Sequence, residues 1–324
     1  MGLENPNPFT SRFSRSEHVS YWGERIFLVL AAIGGFGVIF LVFALVGVLV
    51  RGSYPTIQLF GWSFLWVNAW EPVQGVFGIV PFAVGTLLTS AVALLIAVPL
   101  ALGAAVFLTE QAPGWLRGPL GQLVDLLAAI PSIIYGFWAL VVLVPIMRYQ
   151  IEPFFKQYFG WTGLFNGSPT GIDVFTASVI LAIMIIPTIA AVSRETLLAV
   201  PRSQREAALS LGATSWETTR SAVIPYARSG IFGGIILGLS RALGETMAVT
   251  LTIGNANQVP TSFLSQGQTI ASLIANTFTE ASGPTELSAL IEAGLILLVI
   301  TLAVDVVARM MLWRVLKVRG IAAE

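Results

Sequence analysis

Six long apolar runs, separated by shorter polar stretches, set the pattern of this chain. Each run is close to or above the length of about 20 residues that a helix needs to cross a bilayer. The runs cover residues 26–50, 80–108, 120–145, 174–192, 229–253 and 287–312. The pattern therefore predicts an all-α membrane protein with six transmembrane helices.

The polar stretches divide the chain into parts. We predict an N-terminal tail (1–25), a first transmembrane helix with its outer loop (26–79), a transmembrane domain (80–316) and a C-terminal tail (317–324). Further loops are expected over residues 147–173 and 254–284. The first outer loop carries three tryptophans, which are typical of the membrane interface: Trp62, Trp66 and Trp70.

Pro131 lies in the middle of the third apolar run. A proline inside a helix removes one backbone hydrogen bond, and its ring clashes with the preceding turn. We therefore expect the third transmembrane helix to kink near Ser132.

The polar stretch between the fourth and fifth runs contains two capping boxes. In such a box, a Ser or Thr hydroxyl and a Glu carboxylate three residues later satisfy free backbone N–H groups. Ser203 and Glu206 form the first and predict a helix that starts at Ser203. Thr214 and Glu217 form the second. Between the boxes, Gly212 stands where a left-handed residue would close the first helix.

Pro225 sets the latest residue to which the second of these helices is expected to continue. Residues 201–225 are thus predicted to form a helix–turn–helix elbow between two membrane spans. From capping alone, a plain connector and a docking element are equally good interpretations of this elbow.

Composition restricts the classes of function. The chain is 56% hydrophobic and 10% charged, which suits an integral membrane protein, and its zero net charge implies no general attraction to nucleic acid. It has no cysteine, which excludes thiol nucleophiles and thiolate metal sites. Its single histidine, His18, lies in the polar tail, so an intramembrane Ser–His or zinc protease cannot be built.

The basic residues are distributed unevenly between the two predicted faces. Three lie on the side of the long loops: Arg51, Arg148 and Lys156. Thirteen of the 17 lie on the side of the elbow and the termini: Arg12, Arg15, Arg25, Arg117, Arg194, Arg202, Arg205, Arg220, Arg228, Arg309, Arg314, Lys317 and Arg319. The positive-inside rule therefore predicts that the elbow and both termini are cytoplasmic.

The remaining basic residue, Arg241, lies about 18 Å along the fifth helix and hence near the middle of the bilayer. A charge at this depth costs about 2.5–3.5 kcal/mol on the gentler scales, so it requires compensation or a function. Glu245 follows at a spacing of four, and we expect the two side chains to pair. The same helix face carries three glycines, which predict close helix packing: Gly230, Gly234 and Gly238. A packing seam with an internal salt bridge and a polar pathway are the two interpretations.

The elbow resembles a motif of ABC-importer permeases. EAALSLG, followed at the right distance by IP, is similar to the EAA motif of that family. The following residues fall on the motif's positions: Glu206, Ala207, Ala208, Gly212 and Pro225. Ala222 and Ile224 stand where the family usually has Ile and Leu. The resemblance implies that the first elbow helix is a coupling helix, which would dock in a groove of a cytoplasmic ATPase through Ala207, Ala208 and Leu211.

Two further stretches, AAIPSIIYG and RALGETMAV, resemble permeases of the phosphate-specific (Pst) importers. Met-Ala-Val after Gly-Glu-Thr is more similar to the C-type than to the A-type subunit of these importers. The three motifs together imply a type I ABC-importer permease of the MetI-like fold. The substrate pathway implied by them, and by the depth of the arginine, includes Pro131, Ser132, Tyr135, Arg241 and Glu245.

The resemblance also implies an assembly of several chains. This chain lacks the Gly-x-x-x-x-Gly-Lys-Ser/Thr loop, and neither Lys156 nor Lys317 follows a glycine, so we expect it to be a non-catalytic subunit without a cofactor. ATP and Mg would be bound by a partner. The implied partners are two copies of a cytoplasmic ABC ATPase, a second, A-type permease, an extracytoplasmic phosphate-binding protein and the lipid of a bacterial cytoplasmic (inner) membrane.

Two other functions fit part of the pattern. Sulfate or molybdate would satisfy the same charge argument as phosphate, so the choice of phosphate depends on the resemblance. An ion-coupled secondary transporter would need membrane carboxylates, which are sparse, and it would not account for the elbow. Of the carboxylates in the sixth run, Glu292 and Asp305 lie towards its two ends, and we expect Asp305 to pair with Arg309 at a spacing of four.

Overall fold

The computed structural model describes residues 17–281 and 283–320 and, within helices, the side chains of residues 23–281 and 283–313. Six helical segments in this part of the chain are long and apolar enough to cross a membrane: Gly23–Leu65, Val80–Gln111, Ser132–Thr162, Val174–Leu198, Ser215–Leu243 and Pro284–Trp313. The predicted all-α fold with six spans is therefore confirmed. His18 and the two arginines of the first 16 residues, Arg12 and Arg15, lie outside the side chains that the structure describes.

Thirteen α-helices and one short hairpin make up the described part of the chain. The helices are α1 (Glu17–Phe60), α2 (Val80–Val106), α3 (Gly114–Ala129), α4 (Ser132–Trp138), α5 (Val144–Ile146), α6 (Glu152–Phe159), α7 (Val174–Leu198), α8 (Arg202–Ser210), α9 (Ser215–Thr218), α10 (Ile224–Leu243), α11 (Met247–Thr250), α12 (Ile270–Thr277) and α13 (Pro284–Gly320). The hairpin pairs β1 (Trp70–Glu71) with β2 (Val76–Phe77) in antiparallel register. Short 3₁₀ turns cover Gly61–Leu65, Pro72–Gln74 and Gly160–Thr162.

Prolines explain where the helices depart from the α form. Four five-residue π-helical segments each end two residues before a proline: Phe107–Gln111, Ala139–Leu143, Met147–Ile151 and Thr219–Val223. The proline ring presses on the carbonyl four residues earlier, which lies inside each π segment, and the wider turn moves that carbonyl away. At Pro145, Pro153 and Pro225 the helix then continues through the proline.

These π segments correct two predictions. Pro225 does not end the second elbow helix, because α9 continues through Thr219–Val223 into α10 and so into the fifth span. The loop predicted over residues 147–173 is helical as far as Phe159, and the third span covers Ser132–Thr162 instead of residues 120–145.

The core lies around α7. In this helix 72% of the most apolar window is buried, against at most 33% in any other span. Helices α2 and α10 pack on it, and its buried side chains include Ile180, Leu181, Met184, Ile185 and Ile189. The chain divides into two compact units at Gly52–Ser53, within α1, and this core belongs to the second unit.

The segment between α1 and α2 folds into a small aromatic cluster. Trp62 and Trp66 are about 80% exposed, as expected for an interface, whereas Trp70 is buried. Its indole lies edge-on to Phe77 and Phe82, at centroid distances of 5.0 and 5.5 Å. The predicted interfacial position of Trp70 is therefore wrong, because the hairpin turns this side chain into a second, smaller core.

Candidate functional site

The third span is preceded by a complete interruption of the helix, not by the predicted kink. Helix α3 ends at Ala129, and both Ile130 and Pro131 are extended, with ψ of 130° and 137°. A residue before proline avoids the helical region, so two successive residues leave it and α4 starts afresh at Ser132. The Tyr135 hydroxyl donates a hydrogen bond to the carbonyl of Leu127 at 2.8 Å and so satisfies one free group at the end of α3.

The fifth span has a matching interruption. Helix α10 ends at Leu243, Gly244 and Thr246 depart from the regular helix, and the short α11 begins at Met247. The Oε1 atom of Glu245 accepts the backbone N–H of Ala248 at 3.2 Å. The carboxylate of Glu245 therefore stabilises the start of α11 by satisfying an N–H that has no partner within it.

This interruption corrects the predicted Arg241–Glu245 ion pair. Within the described residues the two side chains form no salt bridge, because the helix that would place them on one face ends between them. Arg241 instead donates from Nη1 to the hydroxyl of Thr188, on α7, at 3.0 Å. Thr188 was missed in the sequence, although it is a hydroxyl within a strongly apolar run.

The two interruptions lie against each other. A Cβ atom on Gly136 would lie 3.1 Å from the Cα of Ala248 and 2.8 Å from Cδ1 of Leu251, so α4 and α11 meet through a glycine. Arg241 is close enough for its charge to act on the Tyr135 hydroxyl. Tyr135 and Arg241 thus lie within electrostatic range without a hydrogen bond between them, and no contact to Arg241 is found among the described residues for the exposed Pro131 or the half-buried Ser132.

Chemically, this arrangement offers donors to an anion. Only one hydrogen bond of the half-buried Arg241 guanidinium is accounted for among the described residues, out of five N–H groups in a planar fork. Such a fork matches the geometry of carboxylate and phosphate oxygens. We define the anion site by Arg241 and Thr188, with Tyr135 and Glu245 as the side chains that hold the two adjacent helix interruptions.

The residue before Arg241 links α10 to the sixth span. The Ser240 hydroxyl lies 2.8 and 3.0 Å from the two carboxylate oxygens of Asp305 on α13. The predicted Asp305–Arg309 pair is absent from the described residues, since Asp305 faces α10 and Arg309 is exposed. Sequence spacing alone could not predict this contact, because Ser240, which donates to Asp305, lies on another helix.

The glycine stripe of α10 faces α7. A Cβ on Gly230 would collide with the side chain of Thr196, and one on Gly238 would lie 2.6 Å from Cγ1 of Ile189. Gly234 has more room, with Val192 Cβ at 3.2 Å. The stripe and Arg241 therefore point towards the same helix.

The elbow has the predicted outline and one wrong cap. Helix α8 begins at Arg202 after Pro201, without a side-chain cap, so the Ser203–Glu206 box does not form. Gly212 has a φ of +86°, and its N–H and that of Ala213 bond to carbonyls of the last turn in a Schellman motif. The Thr214–Glu217 capping box is present in full.

The position of Arg205 explains how the elbow is held. Its guanidinium donates to the carbonyls of Leu197 and Val200 at the end of α7, and it forms a salt bridge with Glu110 at 2.9 Å. Helix α8 buries none of its own residues, and Leu211 beside it is 89% exposed. The elbow is thus fixed to the transmembrane core at one side and open to a partner at the other.

Comparison with known proteins shows similarity to membrane components of transport systems. The family model described as "Binding-protein-dependent transport system inner membrane component" matches residues 97–317. Over 276 residues the chain is 51% identical to the phosphate transport system permease protein PstC of Pasteurella multocida, covering 84% of this chain and 86% of that protein. Over 311 residues it is 45% identical to the protein of the same name from Haemophilus influenzae, covering 95% and 98%.

Solved structures share the fold. A bacterial ABC transporter involved in the import of alginate gives a TM-score of 0.58 at 16% identity, covering 92% of this chain and 99% of that one. The inward-facing MetNI methionine ABC transporter gives 0.51 at 20% identity, covering 72% and 95%. At these identities the likeness concerns the fold alone, and it confirms the predicted MetI-like permease architecture.

Proposed function

Because the chain belongs to the binding-protein-dependent transport system inner membrane components, and among them to the phosphate transport system permease proteins PstC, we propose that its anion site forms the substrate pathway. The chain is the permease subunit of an ABC importer of phosphate. The residues that perform this function are our proposal. The observation that carries it is Arg241, a half-buried cation with unused donors beside two helix interruptions.

Arg241 supplies the fixed positive charge that lowers the energetic barrier to an oxyanion inside the membrane. The planar fork binds two oxygens of the anion, and Thr188, its present partner, accepts a hydrogen bond that the anion can replace. Glu245 does not pair with Arg241 as predicted: it holds the start of α11 and thereby maintains the interruption. Tyr135 fixes the opposite interruption by its bond to Leu127.

The permease of an ABC importer works with an ATPase and a substrate-binding protein. We propose two copies of the ATPase and an A-type permease as the second membrane subunit, with ATP and Mg bound by the ATPase. The elbow and both termini lie in the cytoplasm of this assembly, which the excess of basic residues on their side supports. The coupling surface consists of Ala207, Ala208 and Leu211, with Glu206, Gly212 and Pro225 as the other motif residues.

Phosphate uptake by vesicles that contain the assembled transporter tests the anion site. Arg241→Lys keeps the charge and loses the fork, so uptake should fall about tenfold, as expected for a lost charge-assisted hydrogen bond. Arg241→Ala should abolish uptake while the complex still co-purifies. The matched control is Arg309→Ala, at an exposed arginine of the sixth span, which should transport normally.

Phosphate uptake by variants of Glu245 and Arg241 distinguishes a substrate pathway from a helix-packing role. Glu245→Gln keeps an oxygen acceptor for the Ala248 N–H and should retain most uptake, whereas Glu245→Ala should not. If Arg241 only filled space between α10 and α7, Arg241→Ala would transport at the wild-type rate. That result would refute the proposed pathway.

A further inference from the structure

A groove of about 730 Å³ lies away from the anion site, between the end of α1, the following 3₁₀ turn, the start of α2 and α13. Its walls are apolar except for one carboxyl group. Representative lining residues are Ile57, Trp62, Ile79, Glu292, Ile296 and Ile300. The volume lies in the range of small-molecule sites in proteins.

Glu292 is the residue that this groove leaves unexplained. It is only 5% exposed, and its Oε2 atom is buried with no hydrogen-bond partner in the described part of the chain. A buried carboxyl without a partner costs several kcal/mol, and an apolar residue of similar size would avoid that cost. A donor from outside this chain, entering through the groove, would remove that cost.

A second unpaired oxygen lies nearby along the same elements. The hydroxyl oxygen of Thr56, which precedes Ile57 of the groove wall, is also buried without a partner. The Thr56 N–H bonds to the hydroxyl oxygen of Ser288 at 3.2 Å, one helical turn before Glu292. A buried hydroxyl and a buried carboxyl oxygen on these two helices thus lack hydrogen-bond partners among the described residues, and of the two residues Glu292 lines the groove.

The order of polar and apolar groups along the groove is that of a lipid. Glu292 lies near the level at which α2 begins, since Ile79 and Ala83 line the groove with it, and the exposed Trp62 marks the membrane interface at this end. From Glu292 to Ile300 the wall of α13 runs about 12 Å. The residues lining that length are apolar: Leu295, Ile296, Val299 and Ile300.

We propose that the groove binds a phospholipid whose head group carries a primary ammonium, with an acyl chain along α13 and the ammonium at Glu292. The lining contains no lysine, arginine or histidine, so nothing there would select a purely anionic head group. A primary ammonium brings three N–H donors and a positive charge to the carboxyl, whereas a quaternary choline has no N–H to give. The orientation proposed for the chain would place this groove in the outer leaflet of the membrane. Lipid binding at the groove does not depend on that orientation.

Lipid retention by the complete transporter tests this site. The complex is purified in detergent, exchanged into nanodiscs with equal parts of ethanolamine, choline and glycerol phospholipids, and the lipids that stay bound after a second extraction are counted by native mass spectrometry. Wild type should retain the ethanolamine lipid about tenfold over the choline lipid. Glu292→Leu should remove this preference without lowering the unfolding temperature, because an apolar residue replaces an unpaired carboxyl. Glu71→Gln, at an exposed acid of β1, is the matched control and should behave as wild type.

Three outcomes would overturn the proposal. The first is an equal ratio of ethanolamine to choline lipid in wild type and Glu292→Leu, and the second is retention of the glycerol lipid instead. The third is a crosslink from a photoreactive residue at Ile296 to another protein subunit in place of lipid, which would show a protein occupant. Phosphate uptake is not the measurement, so failure of the anion site would leave this test intact.

Discussion

The two faces of the transmembrane core hold their acidic side chains in opposite ways. On the elbow side, two acids each meet an arginine: Glu110 pairs with Arg205 at 2.9 Å and Asp125 pairs with Arg194 at 3.2 Å. On the other side, Glu152 and Asp173 are fully buried and no basic residue pairs with either in the described structure.

Backbone and hydroxyl groups replace the missing cations on that second face. Glu152 accepts hydrogen bonds from the N–H of Gly171 at 3.0 Å and from the hydroxyl of Thr176 at 3.1 Å. Asp173 accepts the N–H of Thr176 at 2.9 Å through Oδ1, and its Oδ2 atom is buried without a hydrogen-bond partner among the described residues. Arg148 packs its Cβ near Gly171, but its guanidinium lies over the ring of Tyr149.

The difference follows from the charge bias of membrane proteins. If basic residues are retained on the cytoplasmic side, acids on the outer side must be satisfied without them. Burial, followed by the neighbouring charge of Glu152, raises the pKa of Asp173 to about 8. A proton held by Asp173 on that second face thus does the work that arginines do on the elbow face.

The largest expected effect is all-or-none labelling, which tests which face of the protein is accessible from outside the cell. Because the chain has no cysteine, Ser210→Cys and Thr261→Cys each introduce a single thiol at an exposed position, one in the elbow and one in the loop after α11. The reagent is a thiol label that cannot cross the cytoplasmic membrane, applied to cells in which that membrane is intact and any outer barrier has been made permeable. It should label the Thr261 variant. The Ser210 variant should react only after lysis, and the reverse pattern would invert the comparison.

Loss of Arg205 should be the most damaging change on the elbow face. Arg205→Ala removes the bonds to two carbonyls at the end of α7 and leaves the half-buried Glu110 without its cation. We expect a cost of about 3 kcal/mol and loss of the elbow's fixed position. ATPase co-purification and phosphate uptake should both fall, while Arg202→Ala, at an exposed neighbour, should leave them unchanged. Normal coupling in the Arg205 variant would show that the elbow is held by other contacts.

The face that carries Asp173 should respond to pH, and the direction of the response follows from the raised pKa of this carboxyl. Asp173 binds its proton more tightly in the folded protein, at a pKa of about 8, than in the unfolded chain, where the ordinary value is 3.8. The stabilisation is therefore complete below about pH 4 and is lost as the pH rises towards 8, by at most about 1.4 kcal/mol per pH unit. The unfolding temperature of the wild-type complex should fall between pH 6 and pH 8.

Asp173→Asn isolates this effect. The amide can still accept the N–H of Thr176, and it has no acidic proton to lose in this pH range. Its unfolding temperature should vary much less over the same pH range, whereas the exposed acid control Glu71→Gln should follow wild type. A wild-type profile as flat as that of Asp173→Asn would contradict the raised pKa of Asp173.

Sequence patterns predicted the features that depend on neighbours along the chain. The six spans follow from apolar length, Gly212 from the need for a left-handed residue, and the Thr214–Glu217 box from adjacent groups. The helix interruption at Pro131 was foreseen as a kink, since the effect of proline on its own turn is local.

Features that depend on another helix or on a changed helical repeat were missed. The pairing of Arg241 with Glu245 assumed a regular helix, and the end of α10 at Leu243 invalidates that assumption. Arg241 forms a hydrogen bond with Thr188, and Asp305 forms one with Ser240, in each case on another helix. Sequence spacing carries no information about such partners. The Ser203 cap failed because α8 starts one residue earlier, after Pro201.

The smallest expected effect compares the two caps of the elbow. Thr214→Ala removes the hydroxyl that accepts the N–H of Glu217 at 3.3 Å, and the loss of such a cap costs about 1 kcal/mol. Ser203→Ala should cost close to nothing, because Ser203 already lies inside α8 and caps no helix. Hydrogen exchange of the Glu217 amide should therefore quicken about fivefold in the first variant and stay unchanged in the second, following the factor that about 1 kcal/mol makes in an equilibrium. Equal exchange in the two variants would mean that the elbow is held by Arg205 alone, since its bonds to α7 and Glu110 would then fix both elbow helices irrespective of their caps.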